Sequence, residues 1–431
     1  MVFINKIQDF LKTSLWVIPG FMGMFAVLIF YLTLMVDIES LLIENIIEKS
    51  SINSQLLSLT VSTLLAAIVT VFGILLPMMV SIIMRASAQY TPIILRTYRT
   101  ALPPKFFIGL ILSTTIYLIL SLLYLNFFEQ TVVFLSIVIV DFFLITLSLF
   151  SIPPLLDYLV RNMEPTFLAR KLLDELKKLV EKHDTKVENP NNLAISQDRS
   201  MLAKSSYNSF IQSEREGYLQ SVDIKKLLSL ANDEKLIVAI PYRVGEYINI
   251  DTGVIYVKSD REISEKTETK IRNCLMFGVE RIDVNDLELQ IDGLVYITLK
   301  ALSPGVNDYS TALHCMSVIG SCCNTIGNHH FSNGVHRDGD GKARIYSKEF
   351  DYSGFIECAF DRLRIALKDH PKLVKFLLNI ILELAINCQS RQRVKLLASI
   401  ADKLIAETKS GCIESDVRGM ESIQDKINSI F

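Results

Sequence analysis

LLSLTVSTLLAAIVTVFGILLPMMVSIIM, residues Leu56 to Met84, is a run of 29 residues without one charged side chain. At 1.5 Å rise per residue, a helix of that length reaches about 43 Å, more than the roughly 30 Å of bilayer hydrocarbon. Buried helices of soluble proteins are rarely so long and so uniformly apolar, so the stretch predicts a membrane span. Arg85, Arg96, Arg99 and Lys105 follow with no acid among them. Cytosolic flanks of spans carry the excess of Lys and Arg, which assigns this basic segment, and with it the polar C-terminal part, to the cytosol. Two readings suit the segment, which also holds Tyr90 and Tyr98. It contacts anionic lipid headgroups, or it forms a charged cytosolic vestibule that biases passing ions.

Working outward, three more spans emerge: about 15–36, 106–127 and 131–151. Lys6 and Lys12 precede the first, which lacks a small-residue cleavage site and therefore reads as a retained helix rather than a cleaved signal. The loop after it is acidic, with Asp37, Glu39, Glu44 and Glu48, and is expected outside. Pro92 is expected to stop the second helix, and Pro153-Pro154 to break or kink the fourth. Four spans leave both termini in the cytoplasm.

Charge divides the chain. Residues 1–160 hold 7 Lys/Arg and 8 Asp/Glu of the chain's 44 and 46, leaving 37 and 38 for the other 271 residues. A lipid-soluble part thus gives way to a water-soluble one near Arg161. Both are close to neutral, so no basic field points to nucleic acid. All seven cysteines follow residue 270, in odd number and without framework spacing, and reduced thiols are expected.

The expected fold is a membrane α-helical domain of four transmembrane helices plus a cytosolic α+β domain. The domains run 1–160 (membrane), 161–216 (amphipathic helix and polar linker), 217–260 (small β-rich subdomain) and 261–431 (helical subdomain). Glu164–His183 carries apolar residues at helical spacing, and Asp184–Arg215 reads as a loop. Leu236–Ile240, Glu246–Ile250 and Val254–Val257 read as strands, the last two joined at Asp251-Thr252-Gly253, with a helix over Asp223–Ala231 before them. Further helices are expected at Glu265–Phe277, Asp286–Ala301, Tyr309–Ile326, Tyr352–Lys368, Pro371–Cys388, Arg391–Lys409 and Ser415–Ile430. Leu373–Ile386 is apolar but short, and holds Lys375, Asn379 and Glu383, which suits a core helix rather than a fifth span.

Few residues carry chemistry. Asp141 lies mid-span in SIVIVDFFLI, where an ionised carboxylate costs about 2.5–3.5 kcal/mol on insertion scales. Either it is an ion or proton site on a pathway, or it is neutral, hydrogen-bonded and packs spans together. ALSPGVNDYST (301–311) joins two helices and holds Ser303, Asn307, Asp308, Ser310 and Thr311 beside Pro304 and Gly305. Asn307 or Asp308 can cap the next helix, and the loop can alternatively offer a small anion or ligand the helix N–H groups. Ser303, Asp308 and His314 are the ingredients of a hydrolytic triad, but no nucleophile elbow surrounds Ser303, so an enzyme is not expected. Cys322-Cys323 with His329, His330 and His336 match no zinc spacing, and Asp338-Gly-Asp340-Gly lacks the later ligands of a calcium loop. A solvated loop and two buried thiols are expected there. No metal and no cofactor is expected.

Three segments together resemble the domain-of-unknown-function 2254 family of predicted bacterial membrane proteins. They are STLLAAIVTVFGILLPMMVSIIMRASAQYTPIILRTY (62–98), GYLQSVDIKKLLSLA…YRVGEYIN (217–249) and IRNCLMFGVERIDVNDLELQIDGLVYITLKALSPGVNDYSTALHC (271–315). ALSPGVND is the most specific part. The chain departs from the family pattern at Tyr309, where a proline is usual, and at Leu156-Asp157-Tyr158, where a histidine pair is usual. The resemblance implies an integral membrane protein with a cytosolic domain, at the bacterial inner membrane, and no established activity. The functional expectation is a homo-oligomeric channel or transport-type protein with the lipid bilayer as partner, Asp141 on the pathway of a small ion, and a cytosolic gating or assembly domain. The alternative is a membrane-tethered sensor or scaffold that binds a ligand through the 301–311 loop.

Overall fold

The computed structural model describes residues 11, 14–35, 54–89, 101–127, 131–183, 209–259, 261–281, 286–327, 329, 334–408 and 413–430. They divide into two compact units, with the division between Phe167 and Leu168.

The first unit is helical: α1 (Val17–Met35), α2 (Ser54–Gln89), α3 (Leu102–Phe127), α4 (Thr131–Phe150) and α5 (Ile152–Arg161). Among the described residues, four stretches are long and apolar enough to cross a membrane: Val17–Met35, Gln55–Arg85, Leu102–Phe127 and Ser136–Arg161. Pro103 and Pro104 fall in the first turn of α3, where a missing N–H costs nothing. Pro153 and Pro154 open α5. Ser151 links α4 to α5 in helical conformation, its N–H bonding back to Leu147 and its carbonyl accepting from Leu155. The two prolines therefore interrupt the ladder rather than end the rod, because each removes one donor.

The α1 and α3 helices pack closely. A Cβ on Gly109 would come 2.4 Å from the Met22 sulfur and 3.1 Å from the Pro19 Cα, so only glycine admits this approach. Phe30 stands edge-on to Tyr117 at 5.4 Å and to Tyr124 at 6.2 Å, capping a small core of Ala26, Tyr117 and Ile137. The outward residues of α2, among them Leu56, Leu59, Ile74 and Met84, are exposed hydrophobics.

The second unit begins within α6 (Pro165–His183). Its first half interleaves strands and short helices: β1 (Ser209–Gln212), β2 (Gly217–Val222), α7 (Ile224–Asp233), β3 (Ile237–Ile240), β4 (Tyr247–Ile248), β5 (Gly253–Lys258), α8 (Glu265–Arg272) and β6 (Leu275–Gly278). The helices α9 (Leu287–Ala301) and α10 (Tyr309–Gly327), the hairpin β7 (Val335–Arg337) and β8 (Ala343–Ser347), and α11 (Tyr352–Leu367), α12 (Pro371–Asn387), α13 (Arg391–Thr408) and α14 (Glu414–Asn428) follow. One sheet has the order β1-β5-β3-β8-β7, parallel only between β3 and β8. The other is an antiparallel β4-β2-β6.

Several expectations change here. The strands at 246–250 and 254–257 do not pair with each other: β4 joins β2, whereas β5 lies between β1 and β3. Asp251, at φ +60°, turns the chain, and its N–H and the Thr252 carbonyl bond to Ser213, the residue just after β1. The helix expected over 265–277 ends at Arg272, and Leu275–Gly278 is strand β6, pairing with β2. Strands also arise outside 217–260, in the expected linker (β1) and in the expected solvated loop (β7 and β8). The Asp338-Gly-Asp340-Gly segment is the hairpin turn. Asp338 accepts from the N–H groups of Asp340 and Lys342 and from Arg344 Nε.

Ile211, Leu219, Leu227, Val238, Ile255, Val257, Ile271 and Ile345 form the core between the strands and α7 and α8. The α12 helix, with Leu373, Val374, Leu377, Leu378 and Ile381 buried, lies in the helical core of this unit.

Candidate functional site

Polar groups of the first unit gather on one face each of α3 and α4. Thr114 and Ser121 lie seven residues apart on α3, and Ser148 and Asp141 lie seven apart on α4. The hydroxyls of Thr114 and Ser148 are 2.8 Å apart, and Ser121 Oγ is 3.0 Å from Asp141 Oδ1. Thr114 faces Ser148 and Ser121 faces Asp141, so the two helices run antiparallel with two polar rungs about 10.5 Å apart. Tyr117 stands between the rungs on α3 and reaches Thr33 of α1 at 3.0 Å. Thr33 already directs its single hydrogen to carbonyls of its own helix, so the Tyr117 hydroxyl is the donor.

Asp141 is fully buried, 0 % exposed, and its Oδ2 has no hydrogen-bond partner. Hydrogen counting sharpens the site. Ser121 Oγ lies 2.9 Å from the Tyr117 carbonyl and 3.0 Å from Asp141 Oδ1, two acceptors for one hydrogen. A protonated Asp141 resolves the conflict by donating to Ser121, which then donates to the carbonyl. Of the expected basic segment, Arg85 is exposed at the end of α2 and Lys105 is 1 % exposed, inside the unit. Arg96 and Arg99 lie outside the described residues.

In the second unit the 301–311 loop closes on itself. Asp308 accepts from the Thr311 N–H at 3.0 Å and from the Thr311 hydroxyl at 2.5 Å, capping α10. These bonds, the hydroxyl first, hold its carboxyl below the usual carboxylate range. Asn307 takes φ +49°, a left-handed conformation that Asn tolerates well. The Asn307 N–H bonds the Ser303 carbonyl, and the Asp308 N–H bonds that of Ala301. Ser303 Oγ donates to the Lys300 carbonyl. Ser303 and Asp308 thus use their polar atoms locally, while the buried Nε2 of His314 has no partner. Cys322 and Cys323 are fully buried in α10, and burial pushes the Cys322 thiol up to about 12. His336 bonds Ser347 within the hairpin, and His330 lies outside the described residues. No group of metal-binding side chains occurs among the described residues.

A second polar cluster carries no expectation from the sequence. Arg281 pairs with Asp286 at 2.7 Å, Asp292 at 3.3 Å and Glu288 at 3.7 Å. Arg243 pairs with Glu288 at 2.7 Å, and Arg362 with Asp292 at 3.1 Å. Glu246 joins through Arg243 at 3.5 Å and brings Lys348 at 2.6 Å, so four carboxylates meet three guanidiniums and one ammonium, and the cluster is neutral. Burial raises the carboxyls of Asp286 and Glu288 against the pull of the arginines. Cys358 donates to Asp292 at 3.0 Å, and burial pushes its thiol above the usual range, leaving it a poor nucleophile. Gly245, at φ +94°, lies against the cluster: a Cβ there would come 2.4 Å from Asp286 Oδ2.

The chain matches the model of DUF2254, described as a predicted membrane protein, over residues 12–383. It belongs to the DUF2254 family. Similar curated proteins are uncharacterised ones from Mycobacterium bovis and from the H37Rv strain of Mycobacterium tuberculosis. Each is 24 % identical over 206 residues, covering 46 % of this chain and 39 % of the relative. An uncharacterised protein of the CDC 1551 strain is 23 % identical over the same span. The match thus covers about two fifths of the length of these relatives. No solved structure matches. In this DUF2254 protein, two of the three segments that carry the resemblance meet at the ion cluster. YRVGEYIN supplies Arg243 and Gly245, and RIDVNDLELQID supplies Arg281, Asp286, Glu288 and Asp292. The available signal was the spacing of Asp286, Glu288 and Asp292 along one segment, with no way to tell which arginines would meet it.

Proposed function

We propose that this four-span membrane protein is of the transport type and that Asp141 takes up and releases a proton inside each protomer. The observation that carries this reading is the buried Asp141 carboxyl with one unpartnered oxygen, beside a serine that has one hydrogen for two acceptors. An ionisable group held in hydrocarbon costs too much to be kept for packing that Asn or Ser would do as well. The hydroxyls of Ser121, Tyr117 and Thr33 supply proton carriers on the Asp141 side of the seam, while the Thr114–Ser148 rung packs α3 against α4. This favours a path within one protomer over one enclosed between copies. The membrane is the bacterial inner membrane, the second unit is cytosolic, and it gates or assembles the first.

The test is flux through purified protein in liposomes with a pH-sensitive dye inside. Proton flux is expected, alone or coupled to a small ion, and Asp141→Asn is expected to abolish its pH dependence while leaving insertion intact. Absence of flux for protons, monovalent cations and small anions alike would sink the transport reading. A membrane-tethered sensor is the second reading, favoured by an open cavity in the second unit.

A further inference from the structure

The five-stranded sheet has one face in the core and one face outside it. Register places Val238 opposite Val257 on one side and Ile345 on the other, all three at 0 % exposure. Side chains alternate along strands, so the next row belongs to the other face. That row sets Ala239 of β3 between Tyr256 of β5 and Tyr346 of β8, and Phe210 of β1 continues it beyond Tyr256. Phe210 is 60 % exposed and Tyr256 37 %. The row is thus aromatic, with a single small residue between the two tyrosines.

A cavity of about 480 Å³ is lined by Ala239, Tyr256 and Tyr346 together with Arg243, Lys348 and Asp351. Its volume falls in the usual range for small-molecule sites. Neighbouring strands lie about 4.8 Å apart, so the two tyrosines rise from strands roughly 10 Å apart. One ring offset-stacked between two others takes about 9 Å, at centroid separations near 4.5 Å. Alanine is a poor strand residue, and here anything larger would fill the gap.

The polar wall is already ordered. Arg243 is held by Glu288 at 2.7 Å, Lys348 by Glu246 at 2.6 Å, and Asp351 accepts from the Gly354 N–H at 2.8 Å as the cap of α11. Two cations and one anion of the lining are therefore fixed before any ligand arrives, which lowers the cost of ordering them on binding. We propose that this slot binds a small molecule with a flat aromatic or heteroaromatic ring, held between Tyr256 and Tyr346 over Ala239, with its polar substituents on the charged wall.

The experiment uses the full chain in nanodiscs and three ring probes: riboflavin, adenosine and tryptophan. Binding is read by saturation-transfer NMR and by thermal shift. At least one probe is expected to bind with a Kd below about 1 mM. Ala239→Leu fills the slot and is expected to weaken that binding about tenfold or more without lowering Tm. Tyr346→Leu removes one stacking face but keeps an apolar strand residue, and is expected to weaken it by a similar factor. Absence of binding of all three probes up to about 5 mM, or equal binding by wild type and both variants, would overturn the proposal.

Discussion

Asp308 can be judged by what replaces it. Its two oxygens take the Thr311 N–H and hydroxyl, so Asp308→Ala should cost about 0.5–2 kcal/mol, the usual loss for an N-cap. Asp308→Asn or Asp308→Ser should recover most of it. Because the folded carboxyl lies below its ordinary range, this stabilisation is complete above that range and fades as pH falls through the folded value. The Asn variant should lack that acid dependence. Hydrogen exchange in the first turn of α10, beside Tm of the full-length protein, checks both points. If Ala at 308 leaves exchange unchanged, the cap contributes nothing. Gly245 offers a second residue-scale test. Gly245→Ala combines φ +94° with a collision on Asp286 and should lower stability by about 1–3 kcal/mol. Gly305→Ala, with nothing within 4 Å, should stay within about 0.5 kcal/mol of wild type. Equal melting of the two variants would show that the ion cluster gives way freely. The cap was legible in the sequence because Asx capping is local. The ion cluster was not, because Arg243 and Arg362 reach it from chain positions far from α9.

Helices of the first unit could be read from composition alone, since length and apolarity are all that a candidate span requires. Their facing residues could not, because α3 and α4 are apolar over most of their surface and a few scattered hydroxyls do not mark one face at the helical period. The strands were harder still. The β6 strand sits in a run that reads equally as helix, and β7 and β8 are short and polar enough to pass for loop, being joined to the sheet by the single parallel pairing with β3. At this scale the α3–α4 seam makes a prediction. The Thr114–Ser148 rung is closed by two hydroxyls and needs no charge. Replacing both, with Thr114→Val and Ser148→Ala, should cost no more than about 1 kcal/mol in detergent unfolding, the usual scale of an interhelical hydrogen bond. Flux should survive. Ser121→Ala strips Asp141 of its hydrogen-bond partner and should shift the pH dependence of flux at similar stability. If both rungs behave alike, the seam is packing, and Asp141 has no special place in it.

The whole molecule must satisfy one orientation in the membrane. In the proposed topology four spans return the chain to the side on which it began, so residue 100 and the C-terminal unit are expected on one side and residue 50 on the other. Arg85, Arg96, Arg99 and Lys105 bias the first of these to the cytosol, and the acidic 37–48 loop crosses readily, since acids oppose translocation weakly. A reporter fused after Phe431 or inserted after Thr100 should therefore read cytosolic, and one inserted near Ser50 should read external. Reversal should follow charge. Moving the bias by Arg85→Glu, Arg96→Glu and Arg99→Glu together should produce a mixed population, whereas the same change at Arg391 and Arg393, far along the chain from any candidate span, should leave the reporters as they were. An external signal at residue 100 in the wild-type chain would invert the arrangement and put the second unit, with its reduced, buried cysteines, on the oxidising side. Among the described residues of that unit six cysteines are free thiols, four of them buried, which accords with the proposed cytosolic placement.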